Sequence, residues 1–354
     1  MCQFAIFDGG RAVAFIRRLW YDSSMENMMF HKLLFSNPEP PVLLAPMAGA
    51  TDLVFRKLCH SFGADAAVTE MVSAKALCFG DKKSLLIGEV APEERPTAVQ
   101  LFGHESETMA RAAALLPGET FDWIDLNMGC PVHKVVSSGD GSALMRDPKR
   151  IAEIVRAVVA AVDKPVTVKL RAGIDGVESA PECARAAQEA GASAVTVHAR
   201  MREQYYAPSA DWSVIARVKQ AVQIPVFANG DIDSPQAALA VLRETGADGV
   251  MIGRAALGNP FLLGQVKAAL AGREIPPMPS PCRRLEVAKA HIAALVELKG
   301  MRIGMLEARS HMGWYLKGMR GASQLRERCN HLSSLKELDD LIVLALRFQE
   351  EASS

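Results

Sequence analysis

Residues 127–131 read Asn-Met-Gly-Cys-Pro and follow directly on the strand-like run Phe121-Asp122-Trp123-Ile124-Asp125-Leu126. A thiol in a turn fixed by Gly129 and Pro131, at the C-terminal end of a buried strand, is held rigid yet reachable. Cys130 is therefore a candidate for nucleophilic or proton-transfer chemistry. A free cysteine alone is more often a small buried hydrophobe; its company argues otherwise. Other short apolar runs also end in small or polar residues: Ala45-Pro46-Met47-Ala48-Gly49, Glu70-Met71, Gln100, Lys169 with Arg171, His198 with Arg200, Asn229-Gly230-Asp231 and Gly253-Arg254. Charged side chains are almost never fully buried unless paired, so a ring of them converging on one rim favours a polar ligand site.

The elements that must position these residues repeat in one rhythm. Short β-branched runs at 42–45, 66–70, 96–101, 122–126, 165–170, 194–198, 225–228 and 249–252 alternate with helix-period segments. Residues 148–162 carry Ile151, Ile154, Val155, Val158, Val159 and Val162 at helical spacing after an Asp147-Pro148 start, and Ser234-Pro235 opens a second such segment over 235–245. Gly191 and Gly246 stand where helices should stop. Eight strand–helix units predict an α/β fold, a TIM (β/α)8 barrel whose catalytic face is the C-terminal rim. A doubly wound open sheet is the runner-up.

The barrel is expected over 40–272. A Pro-rich linker, 273–282, follows, and then a small all-α helical bundle over 283–350 with breaks at Gly300, Gly304, Gly318 and Gly321. Residues 1–39 read as an N-terminal extension, expected to be poorly ordered.

In TIM barrels the loops after strands seven and eight often bind phosphate. Asn229-Gly230-Asp231 and Gly253-Arg254 supply glycines for close approach and an arginine for charge. No Gly-x-Gly-x-x-Gly opens a helix after a strand, so one compact phosphate site suggests FMN rather than FAD. Lys169 would then face the anionic edge of a reduced flavin, with Gln100 and His198 on the remaining polar atoms of the ring.

Bulk properties narrow the setting. Lys+Arg and Asp+Glu are 40 each, so only a local imbalance could mark a polyanion site, and 283–328 holds one: ten Lys/Arg against four Glu. Seven scattered cysteines without Cys-x-x-Cys spacing predict neither a disulfide framework nor a metal site, and suit a reducing cytoplasm. No apolar run approaches the roughly 18 residues of a membrane helix.

With these residues in place the chain resembles the tRNA-dihydrouridine synthases, most closely the bacterial B-type branch. The likeness runs from about residue 40 to 345 and includes Gln100-Leu101-Phe102-Gly103, Val168-Lys169-Leu170-Arg171, Val197-His198-Ala199-Arg200 and Ile252-Gly253-Arg254. Its most specific part is Asn127-Met128-Gly129-Cys130-Pro131 followed by Gly139-Asp140-Gly141-Ser142-Ala143-Leu144; Arg309–Leu316 resembles that branch's helical domain. The resemblance implies reduction of the C5–C6 double bond of particular uridines in tRNA with FMN and NADPH (or NADH), hydride passing from flavin N5 to C6 and a proton from Cys130 to C5. It implies FMN contacts from Pro46, Met47, Ala48, Gln100, Lys169, His198, Asn229, Gly230, Asp231, Gly253 and Arg254. Asn127 and Arg171 fall to the uracil, and Arg200 is placed with them on the substrate side. A monomer that takes tRNA, with no metal and no membrane, is expected. Asp140 and His133 depart from the family's usual residues, in the loop after Cys130.

Two rivals stand beside this reading. One is an FMN oxidoreductase of a free small molecule, similar to a dihydroorotate dehydrogenase. The other is a non-catalytic RNA-binding factor that keeps the barrel as a scaffold.

Overall fold

Along each paired run, residues alternate between two apolar surroundings, and this alternation wraps the sheet around its own interior. The computed structural model describes residues 25–350. Its main strands are β1 (Val42–Leu44), β2 (Ala66–Val68), β3 (Thr97–Phe102), β4 (Trp123–Met128), β5 (Val166–Ile174), β6 (Ala194–Met201), β7 (Val226–Asn229) and β8 (Gly249–Ile252). Each pairs in parallel with the next, and β8 pairs with β1, so the sheet closes into a TIM barrel. The register sets Gln100 beside Asp125, Asn127 beside Lys169, Arg171 beside His198, and His198 beside Asn229.

Val42, Leu44, Val99, Ile124, Leu126, Val168, Val195 and Val250 face the surrounding helices in one large cluster. The alternate residues Leu43, Ala66, Val68, Ala98, Trp123, Ala194, Phe227 and Met251 form a second cluster inside the N-terminal end of the barrel. A helix Met25–Leu34 closes that end. Its Phe30 ring meets Trp123 edge-on at 5.9 Å and Phe227 at 6.5 Å. The expected disorder over 1–39 therefore fails for residues 25–34, because the barrel floor buries Phe30 and Leu34; residues 1–24 lie outside the described residues.

Helix starts follow the residues expected to cap them. The Asp147 carboxylate accepts from the Lys149 and Arg150 amides, and Ser234 accepts from Ala237. Three strands run past their expected ends by two residues or more: β4 continues to Met128, β5 to Ile174 and β6 to Met201, with a register shift between Arg171 and Gly173. Arg171 and Arg200 thus sit on strands rather than in loops, as His198 was expected to, which ties all three to the rim.

After the Pro-rich stretch a helix Pro281–Tyr315 is broken at Gly300 (φ 77°, ψ 161°) and followed by Ala322–Cys329 and Leu335–Glu350. This first helix starts inside the expected linker, since Ser280 caps it by accepting from the Arg283 amide; Gly304, expected as a break, lies within it. The helical region packs on the barrel through His291 against Phe55, with ring centroids 5.4 Å apart, and through Lys299, whose ammonium reaches Asp52 at 2.6 Å and Glu307 at 2.5 Å. No helix among the described residues is long and apolar enough to cross a membrane, and no group of three or more His, Cys, Asp or Glu among them could hold a metal ion.

Candidate active site

The strand ends converge on a cavity of about 620 Å³ at the C-terminal rim. Among its walls are Pro46, Met47, Ala48, Gln100, Asn127, Cys130, Lys169, Arg171, His198, Asn229, Gly230, Asp231, Gly253 and Arg254. Of the residues expected to hold cofactor or substrate or to move the proton, only Arg200 is absent from the wall; Glu70, another polar strand end, is also absent and accepts from the Gly49 amide.

The turn carrying Cys130 is tied down from several sides. Asn127 Oδ1 accepts from the amides of Cys130 (3.0 Å) and Gly129 (3.3 Å). The Cys130 carbonyl accepts from the Ser142 amide (3.1 Å) and hydroxyl (2.9 Å). Gly141 makes that approach possible: its φ is +60°, and a Cβ there would stand 2.9 Å from the Cys130 carbonyl oxygen. Asp140 accepts from or pairs with His104 Nδ1 at 2.7 Å, anchoring the loop. Burial pushes the Cys130 thiol above its ordinary value, offset in part by the Val132 amide and the nearby Arg171 and Lys169 cations. At neutral pH it is a thiol, not a thiolate.

Three cationic side chains shape the electrostatics. Burial, and then Arg171, pull Lys169 down to about 8; its Nζ donates to Asn229 Oδ1 at 3.3 Å. Burial lowers Arg171 to about 10, and its guanidinium donates to the carbonyls of Gly129, Met201 and Tyr205 at 3.2, 3.0 and 3.0 Å. It clamps the Cys130 turn to the loop after β6, while its lining position keeps it at the cavity wall. Arg254 is half exposed, 3.3 Å from Asp231, with its guanidinium 4.2 Å from the centre of the Tyr206 ring.

His198 is held neutral. Burial comes first, followed by Lys169, Arg171, Arg200 and Arg254, and together they push it down to about 2. Arg200 Nη1 lies 3.3 Å from His198 Nε2, and a guanidinium can only donate, so the imidazole proton resides on Nδ1. His198 can therefore offer a neutral N–H to a ligand.

Arg200 itself corrects an expectation. Instead of reaching the substrate side it is 3 % exposed, donating to the Pro208 carbonyl at 2.8 Å and to Asp231 Oδ2 at 2.5 Å. A buried guanidinium needs a carboxylate, and Asp231 is the one at hand. Asp231 also accepts from the Ala210 amide at 2.8 Å. It braces the loop after β7 although its residue also lines the cavity.

Sequence reasoning missed several members of the site. Asp125 lies beneath the rim, 1 % exposed, accepting from Gln100 and Thr167; its inward parity with Trp123 and Asn127 was the available signal. Trp314 and Lys317 reach the cavity wall from the helical region, and Tyr205 and Tyr206 from the loop after β6.

The dihydrouridine synthase (Dus) family model matches residues 43–353, through the barrel and the helical region alike. The chain belongs to the dihydrouridine synthase family. Among relatives, tRNA-dihydrouridine synthase B of Xanthomonas axonopodis pv. citri (strain 306) is 48% identical over 279 residues, covering 78% of this chain and 84% of that protein. A probable tRNA-dihydrouridine synthase 1 of Synechocystis sp. (strain ATCC 27184 / PCC 6803 / Kazusa) is 44% identical over 308 residues, 86% of each chain. The tRNA-dihydrouridine synthase B of Pseudomonas putida is 44% identical over 294 residues, 82% of this chain and 87% of that one. The family's match takes in both the strand ends of the barrel and the region that contributes Trp314 and Lys317.

Proposed function

We propose that this protein reduces the C5–C6 double bond of specific uridines in tRNA, with FMN as cofactor and NADPH as reductant, and that Cys130 gives the proton to C5. The observation that carries this reading is a protonated, half-buried thiol on the same cavity wall as a buried lysine and a neutral histidine. It rests also on the names its relatives bear.

The residues present fit FMN. A cavity of about 620 Å³ is within the range of cofactor pockets. Lys169, Gln100 and His198 would hold the ring system, and Asn229, Gly230, Gly253 and Arg254 the phosphate, with Pro46, Met47 and Ala48 alongside; Asp231 would act through Arg254. Buried cations that depress one another's protonation are best relieved by an anion. When bound, FMN supplies the hydride for uracil C6.

The remaining work belongs to the chain. Cys130 keeps its proton until charge builds toward C5, because burial disfavours the thiolate. Asn127 and Arg171 hold the turn that aims it. Lys169, charged at neutral pH, favours anionic character in the cavity. A target base must leave its stack to enter, and the basic helical region, which places Trp314 and Lys317 on the wall, would grip the rest of the tRNA. A tRNA substrate puts this work in the cytoplasm.

The test is Cys130→Ala, assayed with unmodified tRNA and NADPH and read by mass-spectrometric mapping of dihydrouridine. The variant should remain yellow and bind tRNA while losing about 10²- to 10⁴-fold in rate, the usual worth of a general acid. Full activity in the variant, or turnover of free uracil or orotate without tRNA in the wild type, would overturn the reading.

A further inference from the structure

We infer that Asp125 is a positioning residue of this site: its carboxylate sets the orientation of the Gln100 and Asn127 amides, and through them the Cys130 turn, and it is the counter-charge to Lys169. The inference rests on the reading of the cavity proposed above.

A carboxylate with 1 % exposure, two residues along β4 from the buried Trp123 and on the same inward face, needs a reason, since an apolar side chain of that volume would be cheaper to bury. Asp125 Oδ2 accepts from Gln100 Nε2 at 2.6 Å, and Oδ1 accepts from the Thr167 hydroxyl at 2.6 Å. Gln100 Oε1 then accepts from Asn127 Nδ2 at 2.9 Å, and Asn127 Oδ1 accepts from the Cys130 amide at 3.0 Å. Four groups thus form one chain from the barrel interior to the thiol-bearing turn.

The ends of this chain fix its direction. An amide side chain can flip, exchanging donor for acceptor. An ionised carboxylate can only accept, however, and a backbone N–H can only donate. Between such ends Gln100 and Asn127 each fit one way round, with their oxygens toward Cys130 and their nitrogens toward Asp125. Gln100 Nε2 keeps its second hydrogen beyond the Asp125 bond, so at the cavity wall it is a donor to ligand.

The counter-charge follows from register: Asp125 pairs with Thr167, two residues before Lys169 on the same face, and Lys169 pairs with Asn127, two residues after Asp125. Facing it are Asp125 from β4, Cys130 from the turn beyond, Arg171 on its own strand, His198 from β6 and Asn229 from β7. Of these, Asp125 and Cys130 favour its charged form and Arg171 opposes it. With Cys130 a thiol, Asp125 is the anion that acts. Burial raises Asp125 itself to about 6, with Gln100, Thr167 and Lys169 pulling the other way, so it is mostly ionised at neutral pH.

Three substitutions separate the roles. Asp125→Asn keeps an oxygen for Gln100 and removes the charge. Asp125→Leu removes both, and Thr167→Val weakens the carboxylate's hold without touching the chain. The full-length protein, with and without added FMN, is labelled at Lys169 by an amine-reactive ester and at Cys130 by iodoacetamide across pH, with both sites read by mass spectrometry. The alkaline limb of dihydrouridine formation is followed in parallel.

Asp125→Asn should move the Lys169 labelling profile, and the alkaline limb, toward acid by about one pH unit, the smaller end of what a nearby opposite charge contributes. Thr167→Val should move them less, in the same direction. In Asp125→Leu, Cys130 alkylation should rise several-fold as the turn loosens. Unmoved Lys169 labelling in Asp125→Asn, or unchanged Cys130 alkylation in a folded Asp125→Leu protein, overturns the inference. A shifted labelling profile in a protein whose wild type never reduces tRNA uridine supports Asp125 as counter-charge and overturns the proposed function instead.

Discussion

Gly258→Ala tests whether the helical region is a fixed wall of the active site. Gly258, in the loop after β8, has φ +67°, and a Cβ there would lie 2.3 Å from the Trp314 carbonyl carbon and 2.4 Å from the Tyr315 amide nitrogen. Ordinary contact begins near 3.4 Å, so the loop and the helix must part by 1.1 Å, the difference between 3.4 and 2.3. Both neighbours are backbone, and no rotamer change relieves them. The left-handed alanine costs about 1–2 kcal/mol, and wedging a packed contact about 1–3 kcal/mol more. Gly272→Ala is the control, because Gly272 has φ +63° with nothing within 4 Å of the added Cβ. It carries the conformational cost without the clash.

The two variants are compared by thermal unfolding, FMN binding and steady-state kinetics on tRNA. Gly258→Ala should melt below Gly272→Ala, retain FMN, and lose kcat/KM for tRNA, since Trp314 and Lys317 at the cavity wall move with the helix. Identical melting temperatures and tRNA kinetics in the two variants would refute the docking of the helical region at this loop.

Two further outcomes follow from burial. Phe30→Ala empties the floor of the barrel between Trp123 and Phe227 and should cost about 3–5 kcal/mol, read from urea unfolding; a loss near zero would mean that the helix Met25–Leu34 is not part of the folded barrel. Lys169 falls from 10.5 unfolded to about 8 folded. Between those values the unfolded chain holds a proton that the folded one lacks, so this group makes stability rise with pH across that window. The wild type should therefore gain on Lys169→Met from pH 8 to 10.5, and parallel profiles would show that the ammonium is not buried.

Much of this was legible in the chain because barrels are periodic. The β-branched runs placed the strands, and the polar residues ending them placed the rim, since a strand end has one direction in which to point. What stayed hidden depends on register and on distant packing. Asp125 lies between Ile124 and Leu126 in an ordinary strand pattern, and only the pairing that sets it beside Gln100 and Thr167 gives it a task. Arg200 looked like a substrate contact because it follows His198 by two residues. Its partner Asp231 is 31 residues away, and nothing local shows that the pair is already satisfied. The helix Met25–Leu34 was missed for a similar reason: one phenylalanine decides it, and that residue matters only because the barrel floor is open to receive it.

The corrected roles sharpen the electrostatic logic of the cavity. Lys169, Arg171, Arg254 and Lys317 line it, and Arg200 stands behind. Asp231 and Asp233 line it too, and Asp125 lies beneath. Asp231 is held by Arg200, the Ala210 amide and, more loosely, Arg254, while Asp125 accepts from Gln100 and Thr167 and faces Lys169. Burial first, and the neighbouring cations after it, make protons hard for Lys169 and His198 to keep. A site in that condition is destabilised by its own charges and gains most from a ligand that brings negative charge to Lys169 and Arg254 together. A flavin with a phosphate at one end and an electron-accepting ring at the other meets both demands, whereas a small neutral substrate would leave the cations opposing each other.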